Sequence, residues 1–452
     1  MKIWSKRGED IPKRVQGFLC GSDIKNDEKL MLWDAVGSVA HAKALQKAGV
    51  LTEKECKKLV LALKKLMELS KGGKFVLKEG LEDVHSNIEH WLTDELGALG
   101  KKIHTGRSRN DQAALDVLLY SKWNLLLICE ETLALCNSLL ALSKKHDSPM
   151  PGYTHSRKAM IASVSHWLLA HCEMLLDDVE FSLAVIDAID KSPLGAGASY
   201  GSIIKLDRKE SASSLGFSSL QYNTLAAVGS RGKKTQLALA PLGFIMQDLA
   251  SLASELILFS DEDIGFVSIS KQYCTGSSIM PHKSNPDCLE LVRAKSAKLL
   301  GIQFGVAVVV NSLPLGYHRD VQETKGALIE GFGITQSSLE IMNGIVLGLK
   351  VNESACLASC TKEMCTADVA TAMSLKGIPF RDAYKKADLA DPQFAQLLDA
   401  KKNITAKALA GGPGDKRMGL VLEKKLLILK TKLKKKKTNF KNSIKKLSGF
   451  GP

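Results

Sequence analysis

Short segments in which Val, Ile or Thr alternate with polar residues are scarce in this 452-residue chain, which argues against a sheet-based fold. Aromatic residues make up only 6% although 45% of the chain is hydrophobic, so the core must be mainly aliphatic and is large enough for two or three domains. No run of about 18 consecutive apolar residues occurs, and the opening MKIWSKRGEDIPKRV has no apolar stretch of a secretory leader. Neither a membrane span nor a standard export signal is therefore expected, and the chain reads as cytoplasmic. The ten cysteines include no C-x-x-C pair; Cys356, Cys360 and Cys365 lie closest together but without a neighbouring histidine. That pattern disfavours zinc and fits reduced thiols. Ser277 and Ser278 lack the G-x-S-x-G setting of a hydrolase elbow, so no covalent acyl-enzyme is indicated. No internal repeat is visible.

A basic excess is present, but only at one end. The net charge is +14. From Lys401 onward there are 16 Lys plus Arg and 2 Asp plus Glu, which leaves 46 of each sign in residues 1 to 400. Within VLEKKLLILKTKLKKKKTNFKNSIKKL the apolar residues at 426 to 429 can pack while the lysines stay in water. The expectation is a solvated C-terminal helix with a basic extension, capable at most of weak contact with anionic surfaces, and not a nucleic-acid-binding protein.

Apolar residues recur at helical spacing over long tracts: Leu115, Leu118, Leu119, Trp123, Leu126, Leu127 and Leu133, then Ile161 to Ile186, Leu237 to Leu258, Leu289 to Val310 and Ala327 to Leu347. This predicts an all-α protein with helices longer than average. Helices apolar over much of their circumference need several neighbours, which points to a bundle whose faces are shared between subunits.

Five polar segments interrupt these tracts: LEDVHSNIEHWL (81 to 92), HTGRSRND (104 to 111), MPGYTHSR (150 to 157), GSSIMPHKSNPD (276 to 287) and LPLGYHRDVQETK (313 to 325). In GSSIMPHKSNPD, Gly276 frees the backbone and Pro281 and Pro286 forbid a continuous helix, so the segment is a loop. Lys283 and Asn285 on it suit an anionic substrate and a charge that builds up during reaction. HTGRSRND sets Ser108, Arg109 and Asn110 at a helix start, an arrangement that binds carboxylates, although a plain N-cap has the same residues. His155 is expected exposed in a Pro-Gly-Tyr bend at the edge of a helix, able to exchange a proton near neutrality. Glu290, at the start of the helix after the serine loop, could hold the second nitrogen of such a histidine.

Taken together, these segments are similar to those of argininosuccinate lyase, within the fumarase and aspartase superfamily. GSSIMPHKSNP matches the pattern GSSxMPxKxNP of the superfamily's signature loop; HTGRSRND, MPGYTH, LPLGYHRDVQETK and TADVATAMSLKGIPFRDAY (366 to 384) narrow the resemblance, which covers about residues 28 to 385. It implies an all-α, three-domain fold, with an N-terminal helical domain over 1–106, a central long-helix bundle over 107–358 and a C-terminal domain with the lysine-rich tail over 359–452. It also implies a homotetramer with each active site built from three subunits, and β-elimination of argininosuccinate to arginine and fumarate in arginine biosynthesis, without metal or organic cofactor. By the same resemblance Ser277, His155, Thr154, Lys283 and Glu290 are catalytic, with Ser277 read as base and His155 as acid, an order the residues alone leave open. His85, Ser108, Arg109, Asn110, Asn285, Tyr317, Gln322 and Lys325 are substrate-binding.

Departures accompany the likeness. Ser156-Arg157 stands where the family usually has Leu-Gln, and Gly229-Ser230-Arg231-Gly232-Lys233 replaces Ser-Asp-Arg-Asp-Phe, keeping only Arg231. The family's N-terminal substrate-contacting serine aligns with Ser22 only through a gap. His282 resembles the version of the loop found in adenylosuccinate lyase, the alternative within this chemistry; a catalytically silent lens-protein relative is the alternative outside it.

Overall fold

The computed structural model describes residues 12–21, 23–78 and 80–452; Ser22 lies outside them. The first long helix, α1 (Met31–Lys47), is buried on nearly every side, and α2 (Glu53–Lys71) begins at a capping box in which Thr52 and Glu55 satisfy each other's backbone N–H groups. Helix α3 (Val84–Leu96) starts from Asp83, whose side chain accepts from the Ser86 N–H.

The bundle begins at α4 (Arg109–Lys145), a 37-residue helix and therefore about 54 Å long. Ser108 and Asp111 cap its start by accepting each other's backbone N–H bonds, and the other carboxylate oxygen of Asp111 accepts from the N–H groups of Gly195 and Gly197 at 3.0 Å each. That one buried residue ties the helix start to a loop 84 residues away. A hairpin, β1 (Pro149–Thr154) with β2 (Arg157–Ser163), follows. Then come α5 (Val164–Ile189) and α6 (Arg231–Phe259). A two-residue pair, β3 (Thr275–Gly276) with β4 (Ser284–Asn285), precedes α7 (Asp287–Val309), α8 (Glu323–Gly348) and the C-terminal α9 (Met418–Ser448).

Helix α4 packs on α5 and α8, and α6 packs on α5, α7 and α8. By length and composition alone, α4 and α6 could each cross a membrane; in the fold they form the middle of the bundle. Helix α7 buries only Leu289, Val292, Ser296, Leu299 and Val306 of its 23 residues. Leu300, Phe304 and Val308, four residues apart along it, are exposed, so this apolar stripe has no partner among the described residues of the protomer.

The tail differs from the solvated extension expected. Leu422, Leu426, Leu429, Leu433, Phe440, Ile444 and Leu447 are buried on α9, at steps of three, four or seven, and the helix packs on α4, α5 and α1. Lys425, Lys436 and Lys437 pair with Asp177, Asp187 and Glu130. Each buried aliphatic side chain contributes about 1.5–3 kcal/mol, whereas an exposed ion pair seldom exceeds about 1 kcal/mol. The apolar stripe therefore holds the helix, and the lysines follow it.

Candidate active site

Six of the residues anticipated as substrate-binding, His85, Arg109, Asn110, Tyr317, Gln322 and Lys325, line a single cavity of about 410 Å³. Ser108 sits at its edge, where its Oγ accepts from the Asn110 N–H. The wall includes residues that sequence reasoning missed, among them Asp23, Asp27, Glu82, Asp83, Arg231 and Arg319. Arg109 donates to Glu82 at 2.7 Å and to Ser86 at 2.8 Å and lies 3.2 Å from Asp83. The buried ammonium of Lys325 is held by Asp27 and by Asp23 at 3.0 Å. Gln322 and Arg319 both donate to the Leu19 carbonyl at 2.9 Å.

Arg231 is buried in the cavity wall, and burial draws its guanidinium below the ordinary arginine range despite Tyr317, Asp23, Asp27 and Asp116 around it; its Nε has no hydrogen-bond partner. Arg231 is the one residue kept from Ser-Asp-Arg-Asp-Phe, so a signal for it existed. Glu82 and Asp83 lay in the quoted LEDVHSN segment beside the histidine. The partnership of Asp27 with Lys325 spans 298 residues and left no local trace. A cavity presenting carboxylates and cations, with Arg109 and Lys325 paired to its acids and Arg319 paired to none among the described residues, suits a ligand that carries both signs and can exchange with those pairs.

Behind this wall lies a second layer. His85 Nδ1 is hydrogen-bonded to Asp34 and lies 3.7 Å from Asp116. The ligand atoms of these three residues all lie within 4.8 Å of one another. Burial alone would lower the His85 pKa, but Asp34, Asp83 and Asp116 outweigh it and raise it to about 9. Nearby His41 and His104 go the other way, to about 3 and about 4, because burial and then Arg107 oppose their charging.

The remaining anticipated residues are elsewhere. Thr154 and His155 stand at the exposed tip of the hairpin rather than at a helix edge: Pro151, Gly152 and Tyr153 belong to β1, and His155 and Ser156 form the two-residue turn. Both have positive φ, 52° and 56°, the conformation of a type I′ turn, which a non-glycine residue adopts at a cost. The hairpin packs on the Glu353–Ala358 and Ala400–Ala406 helices.

The serine segment is a loop, as expected, with its stem pinned by the pairing of Thr275 with Asn285 and Gly276 with Ser284. Ser277 Oγ accepts from the backbone N–H of Met280 at 3.0 Å and of Ile279 at 3.3 Å. Ser278 and Lys283 are exposed, Asn285 is half-buried, and Glu290 is exposed in the first turn of α7. Glu290 meets no histidine within the protomer.

Helix α4 keeps two of these groups apart. It runs about 54 Å from Arg109 at the cavity to Lys145, and His155 follows ten residues later. Ten residues reach at most about 35 Å, so the backbone of His155 stays roughly 20 Å or more from that of Arg109 in its own protomer.

A family model described as Lyase matches residues 18–301. An argininosuccinate lyase of Xanthomonas oryzae pv. oryzae is 37% identical over 423 residues, covering 93% of this chain and 97% of that one. The chain belongs to the argininosuccinate lyase family. Its fold is that of the fumarase-like lyases: an EDDS lyase in complex with formate superposes with TM-score 0.77 at 21% identity, covering 98% of this chain and 97% of that chain. A class II fumarase from Schistosoma mansoni does so with TM-score 0.73 at 15% identity over 88% and 95%.

Proposed function

We infer that the protein is an argininosuccinate lyase acting in the cytoplasm in arginine biosynthesis, and that it works as a homotetramer whose sites combine the cavity of one subunit with the hairpin and serine loop of others. The length of α4 carries this reading, because His155 and the Arg109–Asn110 end cannot meet within one chain. The uncovered apolar face of α7 supports association in the same sense.

Argininosuccinate fits the mixed cavity. Its carboxylates can replace Asp23, Asp27, Glu82 or Asp83 as partners of the cations, and its guanidino group can replace the cations as partner of those acids. Elimination begins when Ser277, as alkoxide, takes the proton from the carbon next to a carboxylate. The electron pair moves into that carboxylate, and Lys283 and Asn285 hold the resulting aci-carboxylate. That pair then returns to form the carbon–carbon double bond as the adjacent carbon–nitrogen bond breaks; the electrons of that bond pass to the leaving nitrogen, which receives a proton from His155. Arginine and fumarate result.

Serine is a weak base unless its anion is favoured. The two N–H groups already pointing at Ser277 Oγ supply that bias, since hydrogen bonds to a charged form stabilise it. Fumarate release followed separately from argininosuccinate and from adenylosuccinate tests the reading. Turnover of the first alone is expected; turnover of the second alone would replace it.

A further inference from the structure

Of the cationic groups at the cavity, His85 is the one whose charge depends on its neighbours' arrangement. Lys325 and Arg109 are held by acids on the cavity wall itself. His85 is held from behind: its Nδ1 bonds Asp34 on α1, whose other oxygen accepts from Ser38 Oγ at 3.1 Å, and Ser38 Oγ in turn accepts from Arg107 at 3.0 Å. Asp34, Ser38 and Asp116 are buried to within 2%. With Nδ1 engaged inward, Nε2 is the ring nitrogen left without a protein partner, on a side chain that lines the cavity.

We propose that Asp34 is a positioning residue of the lyase site, fixing His85 by Nδ1 so that the Nε2–H is presented to a carboxylate of the bound substrate. This rests on the lyase reading above and adds to it a residue outside the cavity. A carboxylate behind an imidazole sets which nitrogen faces outward and stabilises the doubly protonated ring. The charges acting on that ring are Asp34 from α1, Asp83 at the start of α3 and Asp116 from α4, with His104 nearby and Arg107 acting on Asp34 and Asp116.

Asp116 differs from Asp34 in kind. Its Oδ2 is buried without a hydrogen-bond partner, and burial, followed by the nearness of Asp34, drives its carboxyl well above the usual range. It contributes to the field at His85 but does not grip the ring. The two acids therefore separate when each is changed to an amide.

Asp34→Asn should raise KM for argininosuccinate about tenfold with kcat held within about threefold, the pattern of lost ground-state binding. The pH above which KM climbs should fall from near 9 toward the ordinary histidine value of about 6.5. Asp116→Asn, which keeps the Nδ1 bond, should change KM by less than about threefold. Equal effects from both variants would mean a diffuse field and overturn the clamp, as would an unchanged KM in folded Asp34→Asn enzyme.

If Asp34→Asn does not fold, nitrogen-15 spectra of histidine-labelled unmutated enzyme decide, with His85 assigned by its loss in His85→Gln. A doubly protonated ring at pH 8 whose Nε2 resonance moves on adding succinate supports the proposal; a neutral ring, or one indifferent to succinate, overturns it. An unmutated enzyme that releases no fumarate from argininosuccinate would reject the reaction, while these spectra would still read the clamp.

Discussion

Phe440 lies over Trp33 with ring centroids 6.0 Å apart and planes inclined by 21°, and the same ring meets Trp123 at 6.3 Å. The C-terminal helix is thereby joined to α1 and α4 through one side chain that is almost wholly buried.

Phe440→Ala should lower stability by about 3–5 kcal/mol, the range for emptying a buried aromatic site. Ending the chain at residue 430 also removes Leu433, Ile444 and Leu447 from their packing and should leave little folded enzyme. Urea unfolding followed by circular dichroism checks both; a truncated protein as stable as the full chain would show that the stripe holds nothing.

Ser277→Ala should reduce kcat by a hundredfold or more, the scale of a lost proton-transfer group, with substrate binding little altered. Ser278→Ala, one residue further along the exposed part of the loop, should be mild. Steady-state kinetics on both distinguishes a base from a clamp, since a clamp would show weaker binding at near-normal turnover.

His155→Asn and Lys283→Ala should each abolish most activity alone yet regain part of it when unfolded, mixed and refolded together. The recovery follows if each site draws these residues from different subunits, because some mixed assemblies contain sites with neither change. Mixed tetramers, verified by mass, that remain inactive would contradict shared sites.

The facing acids Asp178 on α5 and Asp248 on α6 should make the bundle weaker in alkali. Burial, then the charge and hydrogen bond of Asp248, raise the Asp178 pKa from 3.8 to about 8. A raised carboxyl keeps in the folded state a proton that the unfolded chain has lost, so its contribution declines as pH rises from about 4 to about 8. Asp178→Asn removes this liability. Discounted for partial exposure, the gain at pH 9 should be about 1 kcal/mol and should vanish near pH 4, as thermal melts at the two pH values can show.

Much of this architecture was legible in the chain because helical periodicity is local. The tract from Leu115 to Leu133 lies in α4 and most of that from Ile161 to Ile186 in α5, although Ile161 itself belongs to β2, where it pairs with Pro151; the serine segment is a loop for the reasons its prolines implied. The hairpin was not legible: Pro151 and Gly152 read as a bend, and the pairing of Pro151 with Ile161 and of Tyr153 with Lys158, made by residues on opposite arms, turns them into a strand. The tail was misread because its lysines dominate its composition while its seven buried apolar positions decide where it sits. Asp27 with Lys325 and Asp34 with His85 join segments far apart in the chain, and nothing at either end names the other.

Because Lys425, Lys436 and Lys437 are engaged by Asp177, Asp187 and Glu130, part of the basic end is turned against the protein's own acids instead of being displayed to visitors. Acetylation of those lysines, or high ionic strength, would then leave the helix seated on its apolar stripe while exposing Asp177, Asp187 and Glu130 as unpaired acids on the bundle surface. Three lysines thus trim the outward charge of a helix that its apolar stripe holds in place.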